Sequence, residues 1–512
     1  MLEAAHYTAL HRHRLYFCNM HQKLKIQNTL GGQLEEFSPQ HPPFVGMYLC
    51  GPTVYGDPHL GHGRGPIVFD VVRRYLIHIG YKVRFVRNIT DVGHLVNDAD
   101  EGEDKIQKKA RLEMLEPMEV AQHYTDAYND NIQKLNVLRP SVEPKASGHI
   151  IEQIEMIEKI IAAGLAYEVN GSVYFDVLKY AKTNDYGALS GRVLEDLLAG
   201  AGEERRALEG QDEKRSANDF ALWKAADPSH LMQWSSPWGK GFPGWHIECS
   251  AMAAKYLGES FDIHAGGMDL LFPHHEAEIA QSTACFNHQP VKYWLHNNMI
   301  TINGQKMAKS LNNGIMMHEF YSGNHPLLAK AYTPMTLRFF VLMAHYRSTL
   351  DFSNDALLAA EKGYTRLMEA IVNADRLVAG AEDTFSVDDL SNKLYGAMNE
   401  DFNTPIAISH LFEAVKQINL MLDNKAALTA TSLDKFKSLI NTFVFDILGL
   451  LNENSHADSN TTEGLLRLII ELRDNAKSNK DYATSDIIRD QLKAVGIQLK
   501  DGKEGTTYSF TS

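Results

Sequence analysis

Two histidines and a cysteine stand in one short run, Cys50-Gly51-Pro52-Thr53-Val54-Tyr55-Gly56-Asp57-Pro58-His59-Leu60-Gly61-His62-Gly63-Arg64. An apolar stretch at 44–49 precedes it, and apolar residues at 67, 68, 71, 72 and 76 follow with helical spacing. The pattern predicts strand, glycine-rich turn, helix. Such a turn aims backbone N–H groups and the positive helix end at whatever lies above it, and phosphate suits that field. Far along the chain, Lys306-Met307-Ala308-Lys309-Ser310 lies in a polar segment between Gly304 and Gly314. Imidazole N–H groups and lysine ammoniums together can stabilise a pentacovalent α-phosphate and a departing pyrophosphate. Either tract alone is weak, because His-x-Gly-His occurs by chance and paired lysines are common on solvated loops. The two on opposite halves of a split nucleotide-binding fold are far more specific.

A second constellation concerns metal. Cys50, Cys249, His274, His275, Glu276 and Glu278 are all of zinc-binding types. No CxxC pair is present, which excludes a ribbon or finger. Pro273 suits the first turn of a helix, and His274 and Glu278 would then share one face. Yet a lone cysteine is more often an apolar core side chain, and an i,i+4 pair is routine on helices. Spacing leaves both readings open. Location favours the metal, because Cys50 ends the first strand and 273–278 follows a second glycine turn. Such ends converge at the carboxyl edge of a parallel sheet.

These groups need elements to carry them. Residues 81–90 alternate like a second strand, completing a βαβ unit. A charged tract at 98–109 leads to a helical pattern at 112–136, and Pro140 to Pro144 mark a break. Then come an amphipathic helix at 150–163, a hairpin around Asn170-Gly171 and a polar loop at 199–216. Five helical patterns (338–345, 355–379, 387–400, 404–424 and 432–451) read as a bundle. A polar linker (452–462), a last helix pair (463–479 and 482–495) and a hairpin-like tail close the chain. The expected class is α/β, a split Rossmann-type parallel-sheet catalytic domain followed by an all-α helical bundle and a small C-terminal domain. Its divisions are 1–144 (first catalytic half), 145–220 (connective insertion), 221–304 (second half), 305–350, 351–451 (bundle) and 463–512.

At 512 residues the chain has room for several domains. The net charge of −14 argues against whole-surface attraction to nucleic acid. Residues 60–90 run the other way, with Arg64, Arg73, Arg74, Lys82, Arg84 and Arg87 against Asp70 alone. A solvated helix face with strand ends is preferred there over a polyanion site. No apolar run is long enough for a bilayer, and the first 20 residues lack a secretory core. A cytoplasmic location is expected. The four cysteines (18, 50, 249 and 285) are scattered, which favours free thiols or metal ligands over disulfides.

The tracts CGPTVYGDPHLGHGR, FVRNITD, GWHIECSAM, FDIHAGGMDLLFPHHEAEIAQS, KMAKS, HYRS, EDFNTP and DGKEGTTY carry a resemblance. From about residue 44 onward the chain resembles the cysteinyl-tRNA synthetase family of class I aminoacyl-tRNA synthetases. The resemblance implies one zinc ion per chain on Cys50, Cys249, His274 and Glu278, selecting a substrate thiolate over a hydroxyl. It places the HIGH signature on His59-Leu60-Gly61-His62 and KMSKS on Lys306-Met307-Ala308-Lys309-Ser310. Leu60 replaces Ile, and Ala308 replaces Ser. His59, His62, Lys306 and Lys309 would be catalytic. Ser310 and Asp269 would join them in binding ATP with Mg²⁺. Thr90, Trp245 and His264 would line the cysteine pocket, and 305–350 would hold the stem-contact region.

Lys477, Tyr482 and Asp486 would read the anticodon of tRNA(Cys), although 471–512 balances seven basic against seven acidic residues. The partners implied are ATP, L-cysteine and tRNA, with the chain a monomer. Two rivals stand beside this: a ligase passing cysteine to an amino-sugar, and a catalytically silent synthetase-like binding protein. The long chain after residue 350 disfavours the first. The intact histidines and lysines speak against the second.

Overall fold

The structure, a computed structural model, describes residues 23–92, 105–193, 213–228, 230–307, 313–494, 497–502 and 505–510. The strand expected near 15–18, the acidic 98–104 tract, most of the 199–216 loop, Lys309 and Ser310 lie outside the described residues. The chain forms two compact units, 1–450 and 451–512.

The first unit is built on a four-stranded sheet. Strands β1 (Lys25–Asn28) and β2 (Gln33–Glu36) form a small hairpin before it, which the sequence pattern did not reveal. The main sheet takes β3 (Phe44–Leu49) and β4 (Lys82–Arg87) from the first half of the chain. It takes β10 (Phe261–Gly267) and β11 (Val291–Asn297) from the second. The order is β11-β10-β3-β4, with every neighbour parallel. Both faces are covered, so Val45, Met47, Tyr48, Leu49, Ile263 and Leu295 are all buried.

Helix α1 (Leu60–His78) connects β3 to β4. Three glycines and Pro66 in its first two turns make it a poor helix by propensity. Burial stabilises it instead, through Leu60, Ile67, Phe69, Val71, Val72, Tyr75 and Leu76. Helix α2 (Trp245–Leu257) leads into β10, and α3 (Glu276–Phe286) crosses from β10 to β11.

Between the halves lies a five-stranded antiparallel sheet, ordered β5-β6-β7-β9-β8. Its strands are β5 (Ala166–Val169), β6 (Ser172–Phe175), β7 (Phe220–Ala225), β8 (Trp234–Ser236) and β9 (Gly239–Pro243). The β5–β6 turn has Asn170 and Gly171 both at positive φ, as its two-residue connection demands. This sheet runs on to Pro243, past the boundary at 220 expected from the sequence.

After β11, a small sheet is ordered β13-β12-β14, from β12 (Ile300–Ile302), β13 (Gln305–Lys306) and β14 (Leu350–Phe352). Helix α4 (Pro334–Leu342) and the helices Asn354–Ala374, Val387–Asn399, Thr404–Leu422 and Ala430–Asn441 make the bundle. Leu357, Ala360, Tyr364, Leu367 and Ile371 form one buried stripe of it.

The second unit pairs helices Asn454–Ser478 and Tyr482–Ala494 with a β15 (Ile497–Gly502) and β16 (Gly505–Phe510) hairpin. The tract expected as a linker at 452–462 is mostly the start of its first helix. It is polar, but it contains no proline or glycine to stop one.

The basic run at 60–90 is only in part the solvated face expected: Lys82 and Arg84 are exposed, while others turn inward. Arg64 and Arg87 are 1% and 2% exposed. Arg87 pairs with Glu143, and Asp70 is fully buried between Arg74 (2.7 Å) and Arg338 (2.6 Å). A guanidinium offers five donors, so it can be spent entirely on internal acceptors. No helix among the described residues is long and apolar enough to cross a membrane.

Candidate active site

Four donors meet at the carboxyl edge of the parallel sheet. Cys50 follows the last residue of β3, and Cys249 lies in the second turn of α2. His274 precedes α3, and Glu278 lies in its first turn. Their ligand atoms all fall within 4.8 Å of one another. The Cys50 and Cys249 sulfurs are 3.8 Å apart, Cys50 Sγ is 3.7 Å from Glu278 Oε1, and His274 Nε2 is 3.2 Å from the same oxygen. A tetrahedral zinc with Zn–S bonds of about 2.3 Å separates two thiolates by about 3.8 Å. The four residues therefore fit that ion.

A second set, Cys50, His264, His275 and Glu278, is equally close. It holds one thiol instead of two, and zinc favours thiolate. The first set is the better match.

Burial governs the electrostatics of the cluster. Burial pushes the Cys50 thiol and the Glu278 carboxyl well up, and pushes His264 and His275 well down. The Cys249 thiol is lowered to about 7, first by its hydrogen bond with Cys50. A pocket this dry opposes bare anions, and a bound cation reverses that preference.

Surrounding side chains orient the donors. His274 Nδ1 lies 2.9 Å from His246 Nδ1. His275 Nδ1 lies 2.8 Å from His296 Nε2, and His296 Nδ1 is 2.8 Å from Thr29 Oγ1. The His275 ring can approach only because residue 266 is glycine, whose added Cβ would stand 2.6 Å from its Cε1. Trp245 packs its ring 4.5 Å from that of His274. His264 stacks on Trp294 at 4.5 Å and lies 3.4 Å from Cys50 Sγ. Thr90 is buried, and its hydroxyl donates to Glu248 at 3.0 Å.

The histidine turn adjoins this cluster in sequence. His59 caps α1, and its Nδ1 accepts from the Gly61 N–H at 3.1 Å. His62 Nδ1 accepts from the His59 N–H at 3.1 Å, and the rings stack at 3.8 Å. With both Nδ1 atoms accepting, each neutral ring carries its proton on Nε2 as a donor.

Lys306 sits exposed at the end of β13. The chain returns from there to the turn, where Leu60 N–H donates to Ile315 O (3.0 Å) and Met317 N–H to Pro58 O (2.8 Å). Asp269 is exposed in the turn directly after β10.

The chain is similar to the cysteine–tRNA ligase of Bacteroides fragilis, 58% identical over 493 residues, covering 96% of this chain and 100% of that one. The cysteine–tRNA ligase of Thermus thermophilus is 48% identical over 498 residues, covering 95% and 99%. The chain belongs to the cysteine–tRNA ligase family. The family of tRNA synthetases class I (C) catalytic domains matches residues 36–362, and the DALR domain family matches 393–452.

Solved structures share the fold at low identity. Mycobacterium tuberculosis methionyl-tRNA synthetase bound by methionyl-adenylate has a TM-score of 0.54 at 13% identity, covering 79% of this chain and 92% of that one. A LeuRS–tRNA–LeuAMS complex from Agrobacterium radiobacter K84 has 0.55 at 13%, covering 80% and 85%.

In the second unit, Tyr482 is 63% exposed and Asp486 pairs with Arg489 at 3.1 Å. Lys477 lies in the last turn of the preceding helix. Sequence reasoning missed His246, His275 as an oriented neighbour, His296 and Trp294. The first two stand inside motifs already noticed, GWHIEC and PHHE. His296 and Trp294 lie on β11, which carries no local signal of chemistry.

Proposed function

We propose that the chain activates L-cysteine with ATP and passes the cysteinyl group to the 3′ end of tRNA(Cys), with Cys50, Cys249, His274 and Glu278 holding one zinc ion. The observation that carries this is the four-donor cluster at the sheet edge, directly ahead of the His59 turn. When bound, zinc supplies a preference for thiolate over a neutral hydroxyl, which shape alone cannot give between cysteine and serine.

In the first step the cysteine carboxylate attacks the α-phosphate of ATP. A carboxyl–phosphate bond forms as the bond to pyrophosphate breaks. His59 and His62 donate from Nε2 to the crowded phosphate, and Lys306, Lys309 and Ser310 bind the departing pyrophosphate, with Mg²⁺ accompanying ATP. Asp269 accepts from the ribose or from the substrate ammonium. Trp245, Thr90 and His264 bound the amino-acid pocket. In the second step a hydroxyl of the terminal adenosine attacks the carbonyl and AMP leaves. No protein nucleophile is required, so positioning and electrostatics carry the rate. Lys477, Tyr482 and Asp486 read the anticodon, with Tyr482 stacking an unpaired base.

The test is ATP–pyrophosphate exchange on metal-analysed protein with cysteine or serine, followed by tRNA charging. Cysteine-dependent exchange that Cys249→Ser loses together with bound zinc supports the reading. A Cys249→Ser protein that keeps both zinc and its selectivity overturns the metal assignment. Exchange without charging overturns the acceptor.

A further inference from the structure

Arg64 stands two residues after His62 and is 1% exposed. Its guanidinium donates to three backbone carbonyls: Met299 O, Ser348 O and, at 3.3 Å, Tyr346 O. Among the described residues no carboxylate pairs with it. The position of those carbonyls is informative. Met299 directly precedes β12, and Ser348 stands two residues ahead of β14. These strands pair in parallel, Ile300 opposite Leu350. Arg64 therefore pins together the starts of both.

β12 folds back onto β13, with Thr301 opposite Lys306. Asp351 of β14 grips the turn between them, accepting from Thr301 Oγ1 at 2.7 Å and Gly304 N–H at 2.6 Å. On the far side, Asn313 Nδ2 donates to Lys306 O at 3.1 Å, just before the chain rejoins Pro58 and Leu60. The lysine segment is thus tied to the histidine turn at both its entrance and its exit.

We propose that Arg64 is a positioning residue, holding the Lys306 hairpin in register with the His59–His62 turn. This rests on the reading that Lys306 meets the ATP phosphates. A charged fork buried against main-chain carbonyls is a poor source of stability, because apolar replacements of buried ions are often as stable. It is a good source of register, since a planar fork fixes several acceptors at once and a lysine ammonium cannot.

The experiment is steady-state ATP–pyrophosphate exchange on the full chain for Arg64→Lys, Lys306→Gln and the double variant. A misplacement of about 1 Å costs roughly 10²-fold in rate. Arg64→Lys is expected to lose about that factor in kcat while KM for cysteine moves less than about twofold. In the Lys306→Gln background the same change is expected to cost less than about threefold, because the two act through one element.

If Lys306→Gln exchanges like wild type, the reading of Lys306 fails and the proposal with it. If Lys306→Gln is impaired and Arg64→Lys is not, the proposal alone fails. Losses that multiply in the double variant also overturn it. Should Arg64→Lys not fold, Asn313→Asp loosens the same hairpin from its exit. Wild-type exchange there refutes the dependence on register, and a kcat-selective loss absorbed by Lys306→Gln upholds it.

Discussion

Replacing His246 by Phe probes the metal reading without touching a donor. His246 is 9% exposed and packs among Trp245, Phe220 and His274, with ring centroids 5.3, 5.5 and 5.0 Å away. A phenyl ring fills that space. What it cannot do is accept from His274 Nδ1, now 2.9 Å from His246 Nδ1. If His274 coordinates through Nε2, its proton must lie on Nδ1. In the variant that N–H is buried without its partner, at a cost of about 1–3 kcal/mol. Loss of such an orienting partner typically weakens metal binding 10–100-fold, which is about 1.4–2.7 kcal/mol. The two routes agree. The expected result is a zinc Kd raised by about 10–100-fold in chelator competition, with KM for cysteine recovering as zinc is added in excess and KM for ATP unchanged. An unaltered zinc Kd in a folded His246→Phe protein would refute the reasoning.

Other outcomes follow from single observations. Gly61→Ala places a Cβ 2.8 Å from His59 Cε1 and 2.9 Å from its Nδ1. Exchange kcat should fall by about 10²-fold with cysteine KM unmoved, and a wild-type kcat contradicts the role given to His59. Burial pushes His296 down to about 3, whereas an unfolded histidine titrates near 6.5. Between those values the unfolded state binds the extra proton, so this residue's contribution to stability falls as pH falls. In metal-free protein the urea midpoint should drop more from pH 7 to pH 5 than in His296→Gln; equal drops refute it. Tyr482→Ala should weaken tRNA binding by about 1–3 kcal/mol and leave exchange intact, and undiminished binding removes Tyr482 from the anticodon contact.

Much of the catalytic half was legible because its signals are local. The Cys50–Arg64 run shows a strand end, a glycine turn and a helix within a few residues, and each announces itself by composition. Asn170-Gly171 announces a hairpin for the same reason. Arg64 and Arg87 of the basic run at 60–90 were misread as solvated because charge predicts exposure only when no internal acceptor exists. Here Glu143 and the carbonyls near 299 and 348 are supplied from outside the run. The tract at 452–462 was misread because polarity was taken for irregularity, although no residue in it breaks a helix.

The sequence by itself determined which side chains could serve and where each sits on its own strand or helix: Cys50 at a strand end, His59 at a helix start, His274 and Glu278 on one helical turn. It also contained the family resemblance that the relatives bear out. Only the tertiary structure decided which donors share a point in space. Two donor sets of equal closeness divide the same cluster, and the second thiol, Cys249, favours one. The tertiary structure also decided that Arg64 points inward at main-chain carbonyls, that His246 stands behind His274, and that His296 stands behind the neighbouring His275. The physical reason is the same throughout. Residue type and spacing are carried by a few consecutive residues, whereas convergence at a sheet edge depends on strands brought together from both halves of the chain.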